Sequence, residues 1–225
     1  MQIYHQNIQG VKWKSHEILD FLYPLFPHVV CITEHHYKIM QFRIGNYTLG
    51  ANYCRHSLKK GGVCIFIFII VLSFVGTDLK KFSFDQDIEA CAIRLLYSSG
   101  NICILTIYRA PTGNFTCFIK KLEAILCSLY TLNMQLIICA EVSVNYLVHN
   151  SRRKILDALL SSFNLSSSVY FPTTLQNKSA TTIDNIFIDT SKFPNYVVSP
   201  LYTGLSDHDA QLITLSNIDI KIKNP

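Results

Sequence analysis

Apolar residues in this chain fall mostly in short runs rich in Val, Ile and aromatic side chains, each closed by a polar or turn-forming residue. That pattern predicts β-strands over residues 2–7, 29–33, 47–51, 62–70, 88–96, 101–108, 135–139, 169–170, 183–188, 196–198 and 211–215. Three stretches have helical spacing instead. Ser15, Asn114 and Ser151 are each placed to cap one, and the helices run to about Leu25, Leu129 and Ser162. Many strands interrupted by so few helices do not fit a repeat of one helix per strand. They predict an α/β fold, a four-layered sandwich of two mixed β-sheets flanked by helices. No linker-like composition divides the chain, so residues 1–225 are read as a single domain.

The longest apolar run, residues 63–75, raises the question of a membrane. A spanning helix needs roughly 20 such residues, and this run is shorter and β-branched. It is read as one doubly buried strand that overruns its usual length, and no membrane partner is expected. Charged residues make up only 16% of the chain and hydrophobic ones 49%, which fits a sizeable core and not disorder.

The net charge of +5 comes partly from basic clusters at Lys59-Lys60, Lys80-Lys81, Lys120-Lys121 and Arg152-Arg153-Lys154. Such an excess suits a phosphate-rich partner, although solvated surface faces produce the same clusters. None of the 8 cysteines forms a C-x-x-C pair, and most lie inside apolar runs. They read as buried hydrophobes in a reducing compartment, and a zinc site lacks the spacing it needs. No obligate protein partner is evident.

Candidate chemistry sits where strands stop. Asn7 ends the first, Glu34 follows the run 29–33, and Tyr108-Arg109 end the run 101–108. Glu141 and Ser143 follow 135–139, Asp184 opens the Ile186-Phe187-Ile188 strand, and Ser206-Asp207-His208 precede the last strand. Polar groups repeated at strand ends are how α/β folds mount a site on a rigid frame. Taken singly, Glu34 reads as a solvated carboxylate and Asn7 as a turn residue. His35-His36 lack the spacing of a facing ligand pair and are read as loop residues, and His5 as a packed core residue.

Five segments in order give these positions a meaning: H-Q-N-I-Q-G at 5–10, I-T-E-H-H at 32–36, I-Y-R-A-P at 107–111, T-I-D-N-I-F at 182–187 and G-L-S-D-H-D at 204–209. Together they resemble the endonuclease/exonuclease/phosphatase family, which includes deoxyribonuclease I and abasic-site endonucleases. The later segments resemble most the endonuclease of non-LTR (LINE-type) retrotransposons. The resemblance implies a deoxyribonuclease I-like fold, a DNA endonuclease activity, an intracellular location that is nuclear for genomic DNA, and Mg²⁺ as cofactor, with Mn²⁺ able to replace it. It assigns the metal to Asn7, Glu34 and Asp207. His208 would contact the scissile phosphate, oriented by Asp184, and Tyr108 would donate to a phosphate oxygen. Arg109 and Asn145 would bind phosphate or DNA, and Glu141 and Ser143 occupy the remaining catalytic positions.

Those last two depart from the family pattern. Where members usually read G-D-F-N, this chain reads Ala140-Glu141-Val142-Ser143. Glu carries its charge one methylene further out, and a displacement of roughly 1 Å can cost about 10²-fold in rate. Ser lacks the reach and second donor of an amide, and losing a transition-state donor costs on the order of 10²–10³. Ala140 is harmless unless that position needs a positive φ. An active endonuclease, an inactive relic of the same fold that still binds DNA, and a small-phosphoester phosphatase therefore stay open as readings.

Overall fold

In a computed structural model, residues 1–69, 73–97, 100–131, 134–176, 179–216 and 218 are described. Two six-stranded sheets dominate. The first contains β1 (Gln2–Asn7), β2 (Val29–Thr33), β3 (Tyr47–Tyr53) and β4 (Val63–Phe68) from the start of the chain. It also contains β13 (Tyr196–Leu201) and β14 (Ala210–Leu215), in the order β13-β14-β1-β2-β4-β3. The second is built from β5 (Ser73–Thr77), β6 (Glu89–Tyr97), β7 (Gly100–Tyr108), β8 (Met134–Glu141), β9 (Ser166–Ser167) and β12 (Asp184–Ile188), in the order β5-β6-β7-β8-β12-β9. Each sheet has one parallel pair, β1 with β2 and β7 with β8, among antiparallel neighbours. A small hairpin of β10 (Thr174–Gln176) and β11 (Ser179–Thr181) stands apart.

Three apolar clusters define the layers. Alternate residues of both sheets, including Ile3, Cys31, Ile65, Ile93, Ile104, Ile137, Ile186 and Ile213, pack face to face in the central one. Helix α1 (Ser15–Leu22) turns Ile18 and Leu22 onto the outer face of the first sheet, against Tyr4, Val30 and Phe66. Helices α2 (Phe115–Leu129) and α3 (Ser151–Ser161) cover the outer face of the second, through Phe118, Leu122, Leu126, Leu156 and Leu160. Helix, sheet, sheet, helix is the predicted four-layered sandwich.

Caps explain two of the helix starts. Asn114 accepts from the Cys117 N–H and Asn150 from the Arg153 N–H. Asn150, and not Ser151, is thus the cap of α3. Ser15 is not a cap either: the first helix begins from Lys14 with no side-chain cap. It closes by Leu22, before the predicted Leu25, because Pro24 has no N–H to continue the ladder and the Leu25 N–H turns to the Leu22 carbonyl.

The run 63–75 is two strands and not one. β4 lies in the first sheet and β5 at the edge of the second, and residues 70–72 between them lie outside the described residues. Both sheets need the same β-branched and aromatic side chains, so hydropathy carries no mark of the crossing. The strand expected at 169–170 is also displaced: β9 pairs Ser166 and Ser167 with Ile188 and Phe187. No helix among the described residues is long and apolar enough to cross a membrane.

Candidate active site

Strand register builds the site. Tyr108 on β7 lies opposite Glu141 on β8, and Glu141 lies opposite Asp184 on β12. Side chains directly across paired strands share a face, so the second sheet presents a phenol and two carboxylates in one row. The first sheet supplies the rest. Asn7 is in register with Thr33, which carries the chain into Glu34. The Ser206 hydroxyl donates to the Asn7 carbonyl at 2.6 Å, and the Gln6 amide donates to the His208 carbonyl at 2.9 Å, tying the Ser206–His208 turn to β1.

Asn7 clamps two carboxylates. Its amide nitrogen donates to Glu141 Oε2 at 2.7 Å and to Glu34 Oε1 at 3.3 Å. Its carbonyl oxygen is turned away and accepts from the Gln9 N–H at 3.0 Å. Asn7 therefore shows N–H and not oxygen toward the carboxylates in this arrangement, and it holds both of them in place. Glu34 also accepts from His36 Nε2 at 3.0 Å and from the Tyr108 phenol. Burial pushes its carboxyl pKa up, but the hydrogen bonds from His36, Tyr108 and Asn7 outweigh it and bring it down to about 2. Glu34 itself has φ 55°, a left-handed conformation unusual for a residue with a side chain.

Across the seam stands a buried ion pair. His208 Nδ1 lies 2.8 Å from Asp184 Oδ2, and the Thr173 hydroxyl donates to the same oxygen at 2.8 Å. Burial works against a charged imidazole, but the Asp184 carboxylate, by charge and hydrogen bond, carries His208 up to about 9. With Nδ1 engaged by Asp184, the second ring nitrogen, Nε2, lies 3.8 Å from Asp207 Oδ1.

Glu141 behaves unlike an ordinary carboxylate. It is 2% exposed, and burial beside the Asp184 charge pushes its pKa well up. Ser143 Oγ lies 3.1 Å from Glu141 Oε1 and 2.9 Å from the Arg109 carbonyl. Ser143 has φ 50°, a region that Asn tolerates better than Ser. Ala140 lies within β8 without positive φ, so it costs the turn nothing.

Two expected phosphate ligands are otherwise employed. Arg109 is fully buried; its guanidinium donates to the Val142 and Gly113 carbonyls at 3.1 and 3.0 Å and packs over Phe115. A group with no exposed surface cannot meet a phosphate, so its DNA-binding assignment is withdrawn. Asn145 accepts from the backbone of Leu147 and Thr182, shaping the turn after β8. The sequence reading also missed contributors. His36, read as loop, grips Glu34, and Thr173 steadies Asp184. Arg55 and Glu89 form a buried pair beneath Tyr108, with the Arg55 guanidinium 5.5 Å from its ring. A glutamate inside the apolar run 88–96 was the available signal for that pair. His5 is buried as expected, its ring against Gln211 Oε1 at 2.7 Å.

Comparison with solved structures places this fold. The endonuclease domain of TRAS1, a telomere-specific non-LTR retrotransposon, matches 95% of the chain and 97% of its own length at TM-score 0.76 and 13% identity. An AP endonuclease from Archaeoglobus fulgidus matches 96% and 99% at TM-score 0.71 and 12% identity. A protein of the endonuclease/exonuclease/phosphatase family from Leptotrichia buccalis matches 96% and 99% at TM-score 0.70 and 12% identity. The chain has the endonuclease/exonuclease/phosphatase fold. No protein-family model and no curated protein matches it by sequence. In that fold the row Tyr108–Glu141–Asp184 and the segments at Asn7, Glu34 and His208 meet at one edge of the sandwich, although they span two hundred residues of sequence.

The donors suit a hard cation sparingly. No group of three or more His, Cys, Asp or Glu side chains poised to hold a metal occurs among the described residues. Mg²⁺ does not need one, since it commonly takes one or two carboxylates and completes its shell with waters and substrate phosphate. Glu34, ionised and partly exposed, fits that demand.

Proposed function

We propose that this chain is a Mg²⁺-dependent DNA phosphodiesterase, an endonuclease of non-LTR retrotransposon type, with turnover held down by Glu141 and Ser143. The observation that carries the reading is the Asp184–His208 pair, 2.8 Å apart and buried, set beside two carboxylates clamped by one amide. A phosphodiester carries negative charge that grows at the transition state, and a fixed imidazolium is a donor suited to it. Asp184 holds the ring so that Nε2 can donate to a non-bridging oxygen. Glu34 and Asp207 would hold Mg²⁺, which when bound neutralises phosphate charge. Tyr108 adds a donor in the same row, now satisfied by Glu34. The modest positive charge of the chain favours a polyanion as substrate.

The test is single-turnover nicking of supercoiled plasmid with Mg²⁺, beside Glu34→Ala and His208→Ala. Nicking by the native chain that both variants abolish supports the reading, and equal cleavage by all three refutes it.

One observation favours a second reading, a DNA-binding remnant that no longer cuts. Glu141 is buried, with Asn7 at one oxygen and Ser143 near the other, so an incoming water has little access to it. The Glu141→Asp/Ser143→Asn double variant separates the two. Nicking that appears only in the double variant identifies the native chain as the remnant.

A further inference from the structure

Trp13 is the chain's single tryptophan, and it is 85% exposed. A large aromatic residue left in water is uncommon, and this one also takes φ 71°, a backbone region that bulky side chains rarely adopt. Such an outlier persists only where the surroundings enforce it. Here Lys14 N–H donates to the Val11 carbonyl at 3.1 Å, closing a turn, and Lys14 Nζ donates to the Ile8 carbonyl at 2.8 Å. The loop is further fastened along the Glu34 segment: Gly10 N–H donates to the Glu34 carbonyl at 2.7 Å and Val11 N–H to that of His35 at 3.3 Å. The indole is thus held out on a turn secured beside the site carboxylate.

Its neighbours are cationic. Lys12 Nζ sits 4.9 Å from the ring centroid, covering one face and leaving the other open. A cavity of about 650 Å³ next to it is lined by Lys12, Lys14, His36, Gln9, Tyr37 and Gln41 among others. An aromatic platform with flanking cations beside a phosphate-cleaving site matches one ligand chemistry, a nucleic-acid strand with an unstacked base.

We propose that the Lys12-Trp13-Lys14 loop is a strand-holding subsite in which Trp13 stacks on an unpaired nucleobase and the two lysines take flanking phosphates. The proposal deepens the nuclease reading by naming the form of substrate: DNA with an accessible base face, single-stranded or distorted, in preference to intact duplex, whose base faces are hidden.

The single tryptophan makes the test direct. Full-length protein in EDTA is titrated with a single-stranded oligonucleotide, a blunt duplex of equal length and inorganic polyphosphate, following tryptophan fluorescence and, separately, anisotropy of labelled probe. Single strand is expected to quench the fluorescence and bind more tightly than duplex, and polyphosphate to bind without quenching. Trp13→Ala should weaken single-strand binding about ten-fold and leave polyphosphate binding within two-fold, while Trp13→Phe recovers most of the loss. Lys12→Ala and Lys14→Ala should each lower the salt slope by about one. Binding of single strand without quenching, no binding of single strand, or Trp13→Ala affinity within two-fold of native overturns the subsite. Plasmid nicking is read independently, so the subsite can fail while the nuclease reading stands.

Discussion

Replacing Asp184 with Asn tests the electrostatic heart of the site. His208 is raised from an ordinary 6.5 to about 9 in the folded protein, chiefly by Asp184 against the opposing effect of burial. A folded-state pKa above the unfolded one means stability that is fully present below pH 6.5 and lost as pH rises through 9. The shift of about 2.5 units corresponds to about 3 kcal/mol, at 1.36 kcal/mol per unit, and little screening is expected because His208 is only 6% exposed. In Asp184→Asn the strongest upward pull goes, and burial outweighs what Glu141 and Asp207 still supply, so the ring is pushed toward neutrality. Guanidinium unfolding in EDTA at pH 6 and pH 9.5, followed by circular dichroism, reads the difference. Native protein should lose about 3 kcal/mol more than the variant between those pH values. Buried cysteines and tyrosines also titrate there, but they contribute equally to both proteins and cancel. Equal pH slopes within about 0.5 kcal/mol would refute the account. Nicking by the variant should also fall, by on the order of 10² or more, because the amide no longer holds the charged ring in place.

Further outcomes follow from the same geometry. Glu141→Asp/Ser143→Asn should raise single-turnover nicking on the order of 10²-fold, and Ser143→Asn alone should stabilise the fold by about 0.5–1 kcal/mol in denaturant titrations by suiting φ 50°. Arg109→Met should cost about 3 kcal/mol or more in stability, since it strips donors from two buried carbonyls, yet leave the salt dependence of DNA binding unchanged. Gly62→Ala should be severely destabilising, about 2 kcal/mol or more by thermal melting, because its Cβ would lie 2.3 Å from the His35 ring and its φ is 91°. Mg²⁺ at 100 times its dissociation constant should stabilise native protein by about 2.7 kcal/mol and have no such effect on Glu34→Ala; equal stabilisation of both would remove Glu34 from the metal site.

Much of the fold was legible because strand and helix periods differ. The runs at 29–33 and 101–108, and the helix ending at Leu129, match β2, β7 and α2 to within one residue. The crossing inside 63–75 was not legible, since a chain leaving one apolar sheet for another changes neither period nor composition. The hairpin of β10 and β11 was equally silent, being short and polar. For the site, strand-end polarity pointed to Glu34, Asp184 and His208; in the fold Glu34 lies against Asn7 and His208 against Asp184. Arg109 shows the limit of that signal: adjacency along the chain to Tyr108 says nothing about which side of the sheet a side chain enters. Alternation puts Tyr108 toward the seam and Arg109 among the α2 aromatics.

The pairing of β1 with β14 has a consequence at the level of genes. The first sheet is opened by the earliest strands and completed by the last ones, and the Met1 ammonium donates to the Leu215 carbonyl at 2.7 Å. A copy truncated before β13 loses β13, β14 and His208 together, and leaves β1 with a bare flank. No contiguous half of the coding sequence can inherit the site.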